Sequence, residues 1–84
     1  MESTEILEQL TGIFRDVLGD ESLTLSPELT AANVTQWDSF NHISIMAASE
    51  VQFGIEFRTD ELEQLGNIGE FVELIDRKLK SRSR

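Results

Sequence analysis

The chain has 84 residues, with 16 acids against 7 bases, one histidine and no cysteine, for a net charge of −9. That length fits one small domain, and the lack of cysteine excludes disulfide staples and thiolate metal sites. A chain this acidic repels nucleic acid and anionic lipid; its charge either steers it toward basic protein surfaces or serves solubility alone.

The charge is uneven. Arg77, Lys78, Lys80, Arg82 and Arg84 close the chain, so residues 1–76 set only Arg15 and Arg58 against all sixteen acids, a charge of −14. The longest unbroken apolar run, Ile45 to Ala48, is too short to span a bilayer. The acidic N-terminus lacks the pattern of a secretory signal. The expectation is a cytoplasmic monomer, residues 1–84 forming one domain, with no membrane insertion.

Helix one is predicted from about Thr4 to Leu18. Ile6, Leu7, Leu10, Ile13, Phe14, Val17 and Leu18 share one stripe, with Glu5, Glu8, Gln9 and Asp16 off it. Ser3 or Thr4 can cap it, and Gly19 reads as the left-handed residue that ends it. Residues 19–38 hold no sustained period. They contain the only proline, Pro27, and apolar anchors at Leu23, Leu25, Leu29, Val34 and Trp37 that can pin a long loop over a core. Ser26-Pro27-Glu28-Leu29 reads as a short helical turn.

Helix two is predicted over about 39–52. Asp38 stands as its N-cap and Ser39 in its first turn, and apolar residues recur at 40, 43, 46, 47 and 51. First-turn amides lack intrahelical acceptors and the helix dipole is positive there, so a phosphate on the Ser39 oxygen would be well placed. On its own, an Asp-Ser pair before a helix is most often only a helix cap. Gly54 ends the helix within Phe53-Gly54-Ile55-Glu56. A short third helix opens at Thr59 or Asp60, turns Leu62 and Leu65 inward, and stops at Gly66. Asn67-Ile68-Gly69-Glu70 resembles a capping box, and Ile68, Phe71, Val72, Ile75 and Leu79 form the stripe of the last helix. Beyond it, a basic tail of about 80–84 is expected to fray. The fold class is all-α: a small four-helix bundle, three main helices and one short one, with a long loop between helices one and two.

Catalysis by the chain itself is not expected. His42 follows Ser39 by three residues, which would let the two meet as a Ser–His dyad, but so small a bundle offers little cleft for a substrate. His42 reads instead as a solvated residue near a partner surface. No calcium loop lies between Asp16 and Glu28, no glycine-rich phosphate loop is present, and Glu61 and Glu63 read as a solvated helix face. No metal ligands are assigned.

In this helix order, Asp38-Ser39-Phe40, Phe53-Gly54-Ile55-Glu56 and Asn67-Ile68-Gly69-Glu70 resemble the acyl carrier protein family, over about residues 4–80. The resemblance implies a four-helix carrier without enzymatic activity. Ser39 would bear a covalent 4′-phosphopantetheine, attached by a phosphopantetheinyl transferase using coenzyme A and magnesium. Asp38 would cap the helix and help position that metal. The thiol of the arm would hold acyl groups as thioesters for acyl-transferring, condensing or ligating enzymes docking on helix two through Phe40, His42, Ile43, Ala47 and Glu50.

With a helix two poor in acids, Trp37 before the motif and His42 after it, the chain resembles a specialised stand-alone carrier, of polyketide, lipid-modification or amino-acyl type, and it departs from the family pattern at three points. Phe40 replaces the usual leucine. Glu50 is the lone acid of a helix two that otherwise offers Asn41, His42, Ser44, Ser49 and Gln52. Phe71 stands where a small residue often lines the acyl pocket. The competing reading is an acidic interaction module that presents Phe40, Ile43 and Ala47 without any attached group. It predicts that Ser39→Ala leaves function intact.

Overall fold

The computed structural model describes residues 2–34 and 36–82. Helix α1 spans Ser3–Leu18. Its stripe turns inward: Ile6, Leu10 and Phe14 are fully buried, and Leu7, Ile13, Val17 and Leu18 flank them half-buried. Gly19 ends the helix at φ +66°, returning its amide to the Arg15 carbonyl. A side chain there would clash with its own backbone, which is why glycine stands at that corner. Neither Ser3 nor Thr4 caps the helix. The N-cap is Glu2, with no side-chain hydrogen bond, because helical geometry begins one residue earlier than expected.

The long loop is pinned at both kinds of point, apolar and polar. Leu25 and Val34 are buried, and Leu23, Leu29 and Trp37 lie half-buried on the core. The Arg15 Nε–H donates to the Leu23 carbonyl at 2.7 Å. Residues 26–29 make a single turn closed by the Leu29 amide on the Ser26 carbonyl, 3.1 Å, rather than a helical segment. The helical turn of the loop comes later, as a 3-10 element over Ala31–Asn33. Its start is tied by Thr30, whose amide and hydroxyl both donate to Asn33 Oδ1 at 3.0 Å.

Helix α2 spans Ser39–Phe53 and ends at Gly54, φ +66°. The side facing α1 carries Ile45, Met46, Ser49 and Phe53, all buried. This corrects the expected stripe: of Phe40, Ile43, Met46, Ala47 and Val51, only Met46 is buried. Ser49, expected among the outward polar residues, is fully enclosed, and its hydroxyl is satisfied by the Ile45 carbonyl at 2.7 Å. Buried without that partner it would destabilise the fold.

Helix α3 is short, Thr59–Glu63, with Arg58 rather than Thr59 or Asp60 at the cap; the Arg58 amide donates to Glu61 Oε1 at 2.8 Å. It ends through a right-handed Gln64, before Gly66 is reached. Helix α4 spans Ile68–Arg82. Ile68, Phe71, Val72, Leu74, Ile75 and Leu79 are buried, the predicted stripe plus Leu74. Asn67 Oδ1 accepts the Glu70 amide at 2.9 Å, but the Glu70 carboxylate reaches the Gly66 amide at 2.8 Å, so the box closes one residue early.

The loop also satisfies the first turn of α4, where orphan amides need acceptors. Ile68 donates to the Leu29 carbonyl and Gly69 to the Pro27 carbonyl, both at 2.9 Å. A Cβ on Gly69 would lie 3.2 Å from that Pro27 oxygen, so the approach suits glycine. Helical structure continues through Arg82; residues 83 and 84, the end of the tail expected to fray, lie outside the described residues. The architecture is all-helical, with α1 packed on both α2 and α4 and no strand among the described residues. Among the described residues, no helix is long and apolar enough to cross a membrane.

Candidate functional site at the head of the second helix

Two turns bring the loop to the start of α2. The Trp37 amide donates to the Val34 carbonyl and the Asp38 amide to the Gln36 carbonyl, both at 3.0 Å. Asp38 is then extended, φ −96° and ψ −177°, and its Oδ1 accepts the Asn41 amide at 2.9 Å. That is the predicted N-cap, a feature worth about 1 kcal/mol. The Asn41 side chain donates back to the Gln36 carbonyl at 2.7 Å, locking loop to helix.

Ser39 is the first residue of α2 and is exposed. Helix geometry leaves the amides of Ser39 and Phe40 without intrahelical acceptors, so positive potential gathers beside the Ser39 hydroxyl. An open cleft of about 630 Å³ lies there, lined by Ala31, Trp37, Asp38, Ser39, His42, Ile43 and Glu63.

His42 is not the freely solvated residue the sequence suggests. Trp37 Nε1–H donates to His42 Nδ1 at 3.0 Å, and the two rings lie edge to edge and near coplanar, 26° apart with centroids at 5.9 Å. Burial holds the imidazole below its ordinary pKa by penalising the cation. Trp37 is braced from behind by Phe14, edge to face at 5.0 Å, so the site is fastened to the core of α1. Sequence reasoning missed this pairing and the contributions of Ala31 and Glu63 to the cleft. The available signal was a tryptophan and a histidine five residues apart astride the Asp-Ser pair.

The other predicted contact residues separate into two groups. Phe40 is 76% exposed and Ile43 68%, and Ala47 is exposed beside them, with Val51 at 85% further along the same face. Glu50 is held instead by the fold: its Oε2 accepts the Phe57 amide at 2.8 Å, so it steadies the connection to α3. Glu61 is also engaged rather than solvated, in an ion pair with Lys78 at 2.7 Å. The hydrogen bond from Lys78, then that from the Arg58 amide, lowers its pKa. Phe71 is buried, and its ring meets Phe57 at 5.8 Å between centroids. No cluster of acids and histidines able to hold a metal occurs among the described residues.

The chain is thus an all-helical bundle with an exposed serine heading its second helix, and comparison with known proteins gives its class. The chain is 30% identical to an acyl carrier protein of Acidothermus cellulolyticus over 71 residues, 84% of each chain. It is 29% identical to that of Thermosynechococcus vestitus over 79 residues, 94% of this chain and 98% of the relative. The solution structure of a holo acyl carrier protein from Geobacter metallireducens superposes with a TM-score of 0.86 at 38% identity, covering 92% of this chain and 88% of that one. No family model matches. The chain belongs to the acyl carrier protein family, and it is a carrier rather than an enzyme.

Proposed function

We propose that Ser39 carries a covalent 4′-phosphopantetheine, and that the chain as a single domain presents acyl groups on that arm to partner enzymes. The observation that carries this reading is the exposed Ser39 hydroxyl at the first position of α2, beside the Asp38 cap, in a member of a carrier family. The residues fit the group. The hydroxyl is free to be modified, first-turn amides stand ready for a phosphate, and the adjoining cleft has room for the start of an arm. The arm supplies a thiol for thioester formation, which a chain without cysteine lacks. Asp38 orders the helix start through Asn41 and offers a carboxylate oxygen to the magnesium used by the transferase.

Partner enzymes dock on the outward face of α2, with Phe40, Ile43 and Ala47 as apolar contacts. The absence of an acidic helix two favours a specialised acyl pathway, of polyketide, lipid-modification or amino-acyl type, over housekeeping fatty-acid synthesis. The chain works as a cytoplasmic monomer.

The test is intact-mass measurement after incubation with coenzyme A, magnesium and a broad-specificity phosphopantetheinyl transferase. One phosphopantetheine mass is gained by the wild type and none by Ser39→Ala. Wild-type protein that stays unmodified with several transferases overturns the reading.

A further inference from the structure

The Trp37–His42 pair has a chemical consequence that reaches Ser39. An indole N–H can only donate, so His42 Nδ1, 3.0 Å from Trp37 Nε1, must present its lone pair. The neutral ring then carries its proton on Nε2. That nitrogen has no acceptor among the described residues. No side-chain nitrogen or oxygen there is both buried and unpartnered, so Nε2 opens to solvent. Ser39 and His42 are three positions apart on α2, on neighbouring turns of one face, and both line the same cleft. The other charged groups lining that cleft are the carboxylates of Asp38 and Glu63. Asp38 is already occupied by the Asn41 amide. His42 Nε2–H is therefore the side-chain N–H donor that the cleft offers to an anion on Ser39.

We propose that His42 is a positioning residue for the arm: held by Trp37 as the Nε2–H tautomer, it donates to the phosphate attached at the Ser39 oxygen. This rests on the reading of Ser39 as the attachment point. The hydrogen bond is charge-assisted, with the phosphodiester as acceptor. It fixes the direction in which the arm leaves the helix. Trp37, braced on Phe14, sets the tautomer.

The experiment uses protein labelled with 15N at histidine, before and after loading, with loading on Ser39 verified by mass. At neutral pH, long-range proton–nitrogen correlation of the unloaded chain should show His42 wholly as the Nε2–H tautomer, and Trp37→Phe should yield a mixture. After loading, exchange of the Nε2 proton should slow by about tenfold or more, the protection given by a hydrogen bond to a charged acceptor. The phosphorus resonance of the loaded chain should be displaced in His42→Ala and restored in His42→Gln, which keeps an N–H donor. A purely structural histidine would leave that resonance unchanged in all three proteins. A loaded chain with an indifferent phosphorus resonance, or an unloaded chain with His42 as the Nδ1–H tautomer, overturns this proposal alone. A chain that cannot be loaded at Ser39 overturns it together with the proposed function.

Discussion

Shortening Phe14 should loosen the site from a distance, because Phe14 is the core residue on which Trp37 rests. It is fully buried, and its ring meets Trp37 edge to face at 5.0 Å. An aromatic pair of this geometry contributes about 0.5–1.5 kcal/mol beyond its buried area. Phe14→Leu loses that term and leaves a small unfilled volume, so a cost of about 1–2 kcal/mol is expected. Phe14→Ala would cost about 3–5 kcal/mol. A domain of 84 residues holds only about 4–13 kcal/mol at typical stability per residue. The leucine variant is therefore the informative one, and its melting temperature should fall by about 4–16 °C. Trp37 is the sole tryptophan, so its fluorescence reports the site directly. In Phe14→Leu the native emission should shift as the ring loses its brace, before any global unfolding. A variant with wild-type melting and unchanged native emission would refute the claim that α1 supports the site through Trp37.

Other consequences can be checked separately. Asp38→Ala should cost about 1 kcal/mol through the lost cap, whereas Asp38→Asn keeps the cap and nearly all the stability; if Asp38 also serves the transferase, both variants load slowly in a mass-based assay. Because the folded chain holds His42 below its ordinary pKa, the unfolded chain binds the extra proton first, and stability should decline as pH falls below about 6.5. Urea titrations of wild type and His42→Gln across pH 5–8 should diverge there, and parallel curves would contradict the burial of the ring. Residues 1–76 carry −14, so added sodium chloride should raise the melting temperature by screening self-repulsion, and a flat response would dismiss that account. Ile43→Ser should change unfolding free energy by no more than about 0.5 kcal/mol, since the residue is 68% exposed, yet should weaken acyl transfer to a partner enzyme; a large loss of stability would mean that the face is structural.

How much could be read from the chain alone depended on whether an element has one apolar face or two. Helices α1 and α4 each present a single stripe, and Ile6, Leu10 and Phe14, like Ile68, Phe71 and Ile75, are buried where spacing puts them. Helix α2 is apolar on both sides. Phe40, Ile43, Ala47 and Val51 recur at helical spacing as well as Ile45, Met46 and Phe53 do, and periodicity cannot say which set meets α1. Ser49 compounded the ambiguity, because a serine whose hydroxyl bonds the Ile45 carbonyl is at ease in a core yet counts as polar in a pattern. The loop anchors were legible as isolated apolar residues, but the 3-10 turn over Ala31–Asn33 rests on Thr30–Asn33 side-chain bonds without any period. Asp38 and Ser39 could be read because a cap is a local device. The Trp37–His42 bond could not, because it needs the chain to turn back between Val34 and Asp38.

The two apolar faces of α2 explain why the fold leaves this helix so exposed. The inner face alone suffices to seat the helix: Ile45, Met46, Ser49 and Phe53 are enclosed, and Gln52 donates to Gln9 of α1 at 2.7 Å. Phe40, Ile43 and Val51 then add little to the folded state, since they remain in water. Large exposed side chains clustered on one face mark an interaction surface more readily than singly scattered ones do. Glu50, the only acid on the helix, is tied to the Phe57 amide and contributes its charge to the α3 connection. Docking on this face, as proposed, is expected to be governed by apolar burial, with the acidic remainder of the chain acting at longer range. Such an interface should hold its dissociation rate as salt rises while its association rate falls, because screening removes steering before it weakens contact.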